Sequence, residues 1–294
     1  MAVTASLVKE LRERTGLGMM ECKKALVETD GNIELAIENL RKSGQAKAAK
    51  KAGRIASEGA VAIKSSADGK TAAMVEINSE TDFVARDDNF KKFVDLVINR
   101  ALESKEVDVA ALMSLPAEKG GSESLEATRQ ALVQKIGENI QVRRIQIISA
   151  DGVVGCYIHS GKIGVIASLS AGDVDLGRDI CMHIAAVNPL VVNPQDVSAS
   201  VLDKEKEIFA AQARESGKPE AIIEKMISGR IKKYLAEVSL VEQSFIKDPE
   251  TTVGKLLKDK GASVVSFTRF EVGEGIEKEE VDFAAEVRAQ ANRT

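Results

Sequence analysis

The stretch TAAMVEINSETDFVARDDNFKKFVDLVINRAL, residues 71–102, decides the fold class. Ala73, Val75 and Ile77 alternate with their neighbours at the two-residue period of a strand. Beyond residue 89 the period changes. Phe90, Phe93, Val94, Val97, Ile98, Ala101 and Leu102 recur at the spacing that gathers side chains on one face of a helix. Asp87, Asp88 and Asn89 stand at its start, where acids and capping side chains are favoured. Upstream, Val61 and Ile63 alternate in the same way and Asp68-Gly69 supplies a turn, so a hairpin leads into the helix.

The pattern then returns. Ile145–Ile148, Val153–His159 and Ile163–Leu169 read as strands, with turns at Asp151-Gly152 and Ser160-Gly161. A helix follows, with Leu176, Ile180, Ile184 and Val187 on one face. The expected fold is α+β, with a core of two similar small antiparallel sheet-plus-helix subdomains, residues 55–144 and residues 145–194 with 237–275. Residues 116–124 form a flexible break within the first.

Three further pieces flank or interrupt that core. Residues 1–54 predict a small three-helix module. Its apolar stripes are Leu7, Val8 and Leu11, then Cys22, Ala25 and Leu26, then Ile33, Ala36, Ile37 and Leu40. It ends in RKSGQAKAAKKAGR, residues 41–54, read as a basic linker, with room for partial helix, that lacks β-branched and large apolar residues. Residues 195–236 predict an antiparallel helical hairpin inserted into the second subdomain, turned at Ser216-Gly217-Lys218-Pro219. Residues 276–294 predict a C-terminal helix carrying Val281, Phe283, Ala284 and Val287.

Composition bounds the function. Apolar residues at 44% and charged residues at 29% of the 294-residue chain belong to a folded soluble protein. Aromatics are 3% and Trp is absent, so the core is built from aliphatic residues and each exposed aromatic becomes informative. A net charge of −4 argues against a globally basic nucleic-acid binder, leaving only a local patch such as 41–54. Cys22, Cys156 and Cys181 are far apart and no C-x-x-C occurs, which speaks for reduced thiols in the cytoplasm. No signal peptide and no membrane span are expected.

Catalytic motifs are missing. There is no phosphate-binding G-x-x-x-x-G-K-[ST] loop, H-E-x-x-H or G-x-S-x-G, and Gly273-Glu274-Gly275 lacks the third glycine of a dinucleotide fingerprint. Of the two histidines, His183 lies on the apolar face of its helix and reads as structural. His159 closes a strand before a turn, where a structural role and a partner contact are both open. No catalytic residue, metal site or cofactor is therefore expected.

Two segments offer themselves for binding. In residues 78–88 Phe83 falls outside the helical stripe, among Glu80, Asp82, Asp87 and Asp88. Either it folds back as a hydrophobic staple or it is presented to a partner as an aromatic wedge. In Gly16-Leu17-Gly18-Met19-Met20 two adjacent Met side chains either pack between helices or form an adaptable apolar surface.

Taken together, several segments resemble the elongation factor Ts family. LVKELRERTGLGMMECKKALVETDGNIELAIENLRKSG is similar to its ubiquitin-associated-like module, and TDFVARDDNF to its signature loop. KIGENIQVRR, HSGKIGV, SGKPEAIIEKMISGRIKK and RFEVGEGIEKEEVDFAAEV match further segments in order, so the resemblance covers essentially the whole chain. It implies a guanine-nucleotide exchange factor for elongation factor Tu that binds no nucleotide itself. The loop bearing Thr81, Asp82, Phe83 and Val84 would intrude near the partner's Mg²⁺ site. Leu17, Met19 and Met20 would dock the N-terminal module, with further contacts from His159 and Phe283. The helical hairpin would serve dimerisation, as in some members. The rivals are an RNA-binding translation protein using residues 41–54 and, more remotely, an enzyme built around His159 or His183.

Overall fold

The computed structural model describes residues 3–215 and 219–277. Three helices open the chain: α1 (Ala5–Thr15), α2 (Met19–Glu28) and α3 (Ile33–Lys51). Thr4 caps α1 by accepting from the Leu7 N–H at 3.3 Å, and Gly16 ends it in the left-handed conformation that favours glycine. Val8, Leu11, Leu17, Cys22, Ala25, Leu26, Ala36 and Leu40 form the module's own small core.

The basic linker expected over residues 41–54, with room for partial helix, is helical as far as Lys51, a direct continuation of α3. Ala, Lys, Gln and Arg are strong helix formers, and nothing in the segment breaks the helix. Ala36, Leu40, Gly44 and Ala48, four residues apart, are its buried positions. Gly44 lies so close to Gln134 that an added Cβ would meet the amide oxygen at 2.3 Å.

The first sheet has the order β1 (Glu58–Ser65), β2 (Thr71–Ser79), β3 (Ile140–Ser149), all antiparallel. Between β2 and β3 come α4 (Asp82–Arg86), α5 (Asp88–Ser104), α6 (Val109–Ser114) and α7 (Leu125–Ile136). The second sheet has the order β4 (Val153–His159), β5 (Ile163–Leu169), β8 (Val264–Glu271). Between β5 and β8 lie α8 (Val174–Val187), α9 (Ala199–Arg214), α10 (Glu220–Val238), the short pair β6 (Ser244–Phe245) and β7 (Asp248–Thr252), and α11 (Val253–Asp259).

The expected boundary between residues 144 and 145 therefore falls inside β3, which pairs with β2 and belongs to the first sheet. Its apolar residues Ile140, Val142 and Ile145 join the cluster formed with α5 and α7. With that correction the two halves share one topology: a hairpin, a covering helix, and a later strand that returns beside the second strand.

The sheets pack face to face. Val61, Ala72, Met74 and Ile148 of the first meet Val154, Ile166 and Phe270 of the second. On the outer side of the first sheet, Ala73, Val75 and Ile77 pack with Phe90, Phe93, Val97 and Leu125. On the outer side of the second, Val165, Ala167 and Leu169 pack with Leu176, Ile180, Ile184 and Leu257. The layers thus run helix, sheet, sheet, helix. Gly155 in β4 and Gly177 in α8 permit a backbone approach that no side chain would allow, since a Cβ on Gly155 would sit 2.4 Å from the Gly177 carbonyl oxygen.

A buried carboxylate ties the sheets together at one end. Glu76, fully buried in β2, accepts from Asn78 Nδ2 at 3.0 Å, Arg143 Nη1 at 3.0 Å and the Gly273 N–H at 2.9 Å. Arg144 Nε donates to its other oxygen, and the Arg144 guanidinium lies 4.1 Å from the Phe270 ring centroid. Burial opposes ionisation of Glu76, but these donors together hold its carboxyl below the ordinary range.

The expected helical hairpin is formed by α9 and α10. Their roots close on themselves: the Leu190 N–H donates to the Val238 carbonyl at 2.8 Å, and Val191 bridges Ser239. Among the described hairpin residues, Ala213 and Ile223 are the buried ones. Its turn, residues 216–218, and the C-terminal segment from residue 278, with Phe283, lie outside the described residues.

Candidate functional site

The segment leaving β2 does not remain a loop. Residues 82–86 form α4, a turn and a half of helix, after which Asp87 starts α5. Asp87 Oδ1 accepts from the N–H groups of Asn89 at 2.8 Å and Phe90 at 3.3 Å. Partial burial opposes its ionisation, yet those donors keep its carboxyl below the usual value. The junction between α4 and α5 is therefore fixed by a charged cap.

Successive helical residues point about 100° apart, and at this turn the two apolar neighbours part company. Val84 faces the core, at 6% exposure, within the cluster under the first sheet. Phe83 is left at 78% exposure. The staple reading of Phe83 does not hold. The side chain of Val84, expected among the contact residues, anchors α4 to the core. Asp82 accepts from Arg86 Nη2 at 2.8 Å across the outer face of the same turn.

Thr81 is held from behind. Its N–H donates to Glu138 Oε2 at 3.0 Å and its hydroxyl to Glu138 Oε1 at 2.8 Å. In the reverse direction the Asn139 N–H donates to Glu80 Oε1 at 2.6 Å. Sequence reasoning missed Glu138, which stands 57 positions from Thr81 and in KIGENIQVRR carries no local sign of this contact.

In the N-terminal module Leu17, expected among the contact residues, is 6% exposed and sits in the helical core. Gly16 and Gly18 bracket it, and its side chain turns inward to fill the angle between α1 and α2. Met19 and Met20 are exposed at 58% and 74%. With Val3, Ala5 and Val8 they line an apolar groove of about 390 Å³, rimmed by Lys9, Arg12 and Lys23.

The module is not loosely attached. Lys47 pairs with Glu21, which also accepts from Gln134 Nε2 of α7 at 2.9 Å, and Lys51 reaches the Gly137 carbonyl. Arg41 pairs with Glu123 at 3.3 Å, Lys42 with Glu38 at 2.7 Å and Arg54 with Glu80 at 3.5 Å.

His159 is exposed beside the turn between β4 and β5, its Nδ1 3.2 Å from the Tyr157 hydroxyl. That turn and α4 line one groove of about 410 Å³, in which Asp82, Ala85 and Arg86 face Ser160, Gly161 and Lys162 across Glu58 and Gly59. The groove thus joins elements of both halves. His183, by contrast, is fully buried, with Nε2 2.9 Å from Gln243 Oε1 and Nδ1 accepting from the Ile246 N–H at 3.2 Å. Gln243 Nε2 is spent on the Glu237 carbonyl, so its oxygen must face the ring, and His183 is a neutral Nε2–H tautomer with both nitrogens satisfied.

Among the described residues no cluster of His, Cys, Asp or Glu could hold a metal ion, and no helix is long and apolar enough to cross a membrane. What the geometry offers is a presented aromatic, a neighbouring acid and an apolar groove on a braced module. A family model described as elongation factor TS matches residues 80–274. The elongation factor Ts of Saccharophagus degradans is 64% identical over 292 residues, spanning 99% of this chain and 98% of that protein. Those of Alcanivorax borkumensis and Teredinibacter turnerae are each 62% identical, over 97% and 99% of this chain and 99% and 97% of theirs. Matches of that extent, running through the α4 turn and both halves of the core, place the chain in the elongation factor Ts family.

Proposed function

We propose that the protein is a cytoplasmic guanine-nucleotide exchange factor, not an enzyme, that binds elongation factor Tu carrying GDP and promotes GDP release. The observation that carries this reading is Phe83, exposed on a turn of helix whose neighbours on both sides are tied down. A wedge that must displace another protein's side chains gains from being held in shape beforehand, because little conformational freedom is then lost on binding. The aromatic supplies apolar area with few rotors to freeze, and Asp82 places a negative charge beside it.

Mg²⁺ demands near-ideal octahedral coordination, so a small displacement of its ligands weakens it disproportionately. With Mg²⁺ loosened, phosphate charge is uncovered and GDP leaves. The exchange factor contributes shape and charge only, consistent with a chain that carries no nucleotide-binding loop. Met19 and Met20 dock the N-terminal module on the GTPase domain, His159 extends the contact to a further domain, and Phe283 adds one from the C-terminal segment. Self-association of the hairpin gives a homodimer. The RNA reading loses ground because five of the six positive charges of residues 41–54 are engaged within the chain, by Glu123, Glu38, Glu21, Glu80 and the Gly137 carbonyl.

The test is release of a fluorescent GDP analogue from purified elongation factor Tu, with and without the protein, paired with calorimetric titration of the nucleotide-free and GDP-bound partner. Linkage requires GDP to weaken protein binding by the same factor by which the protein weakens GDP. Equal affinity for the two partner states would refute the mechanism.

A further inference from the structure

We propose that Glu138 is a positioning residue for exchange, the group that sets the direction in which Phe83 points. The inference rests on the exchange reading above and concerns how the wedge is aimed.

Thr81 occupies the N-cap position of α4, where a threonine hydroxyl ordinarily accepts a hydrogen bond from the helix's own first turn. Here it makes no such bond. The hydroxyl is turned the other way and donates to Glu138 Oε1, while the Thr81 N–H donates to Oε2. Both oxygens of one carboxylate thus grip both donors of one residue. Because the acceptor is charged, these bonds are stronger than those between neutral groups, and two together fix an orientation as well as a distance.

The grip is reciprocal. Glu80 takes the Asn139 N–H, so residues 80–81 and 138–139 are strapped across each other. Ser79 Oγ adds a bond to the Thr81 carbonyl at 2.9 Å. Val84, with half-buried Ala85 beside it, pins α4 to the core and Asp87 holds its far end, so the freedom that remains is a pivot at the near end, where the chain enters. About that pivot the tilt of α4 is set by its entry, and its entry is set by Glu138. Without the carboxylate, the Thr81 hydroxyl becomes free to cap α4, and the turn can rotate about Val84, carrying Phe83 with it. Glu138 itself is only half-buried, with no place in the apolar clusters, so its removal has little to take from the core.

The experiment uses the full chain. Trp is absent, so Phe83→Trp provides a single reporter at the tip. In that background Glu138→Ala is expected to lower tryptophan anisotropy and increase quenching by acrylamide. In the otherwise unchanged protein, Glu138→Ala is expected to slow GDP release at saturating exchange factor by roughly 10- to 100-fold, the scale of a misplacement of about 1 Å. The half-saturating concentration should move much less, because docking by the N-terminal module is untouched. Glu138→Gln keeps one acceptor oxygen and is expected to recover much of the rate.

Phe83→Ala is the reference arm. If it releases GDP at the full rate, the exchange reading fails. If it is slow while Glu138→Ala is normal, with an unchanged tryptophan signal, only the positioning role fails. If Glu138→Ala and Glu138→Gln lose thermal stability in proportion to their loss of exchange, Glu138 is a residue of the fold and the proposal is overturned.

Discussion

Replacing Phe83 and Phe93 separately by alanine tests whether exposure and function go together in this chain. The two side chains are chemically identical and ten positions apart, but Phe93 is 2% exposed at the centre of the first cluster and Phe83 is 78% exposed. Removing a buried Phe costs roughly 3–5 kcal/mol, combining the lost transfer free energy with the cavity left behind. Phe83 has only about a fifth of its surface to return to water, so its removal should cost well under about 1 kcal/mol. Thermal melting followed by circular dichroism should therefore separate the variants clearly, with Phe93→Ala melting early and Phe83→Ala close to the parent. GDP release per folded molecule should invert that order. An aromatic at the centre of an interface typically contributes at least about 2 kcal/mol, or roughly 30-fold, and Phe83→Ala should lose about that much. Asp82→Ala should show a smaller defect, and little loss of stability, since its pairing with Arg86 is a surface ion pair worth at most about 1 kcal/mol. A Phe83→Ala protein that melts early yet exchanges normally would refute the reasoning.

Three further outcomes are expected. Glu76→Ala leaves Arg143 and Arg144 without their buried counter-charge and should cost about 3 kcal/mol in urea unfolding. Because the folded-state pKa of Glu76 is depressed, its stabilisation is complete above the ordinary value of 4.5 and fades as pH falls through the lower folded value; Glu76→Gln should flatten that acid limb. Burial, against the opposing bond from Gln243, lowers the pKa of His183 below its ordinary 6.5, so the unfolded chain takes up that proton first. Stability should decline as pH falls from about 6.5, and a His183→Gln variant showing the same slope would contradict the assignment. Finally, replacing residues 195–236 by a short linker should leave the core's circular dichroism and its melting cooperative, since Leu190 and Val238 already meet at the hairpin's root; loss of folding would make the hairpin part of the core.

Much of the architecture was legible because it is written in local periods. The stripe from Phe90 to Ala101 is buried as its spacing predicts, and so is the Ala73, Val75, Ile77 face of β2. Proximity in sequence points the strand at Ile145–Ile148 to the hairpin that follows, whereas its pairing is with β2, from which it is separated by the 60 residues 80–139. The full extent of the helix through residues 41–51 is not legible because its inward positions there are glycine and alanine, which close packing selects but a hydrophobic pattern does not register. At Phe83 and Val84 the sequence offered two adjacent apolar residues and no means of choosing between them. In the structure α4 enters with Thr81 bonded to a carboxylate 57 positions away, a contact that no local period records.

The unbroken α3 has a consequence of phase. A 19-residue helix is a rod of about 28 Å, with one end built into the N-terminal module and the other against α7. The module that carries Met20 and the core half that carries Phe83 are therefore joined by a single rigid shaft, which sets one body against the other. Inserting one residue between Leu40 and Gly44 would swing the module by about 100° and advance it by about 1.5 Å, while seven residues would bring it nearly back into register two turns further out. In this protein the helix keeps angle as well as distance, like the shaft of a key whose two bits must enter the lock at one setting.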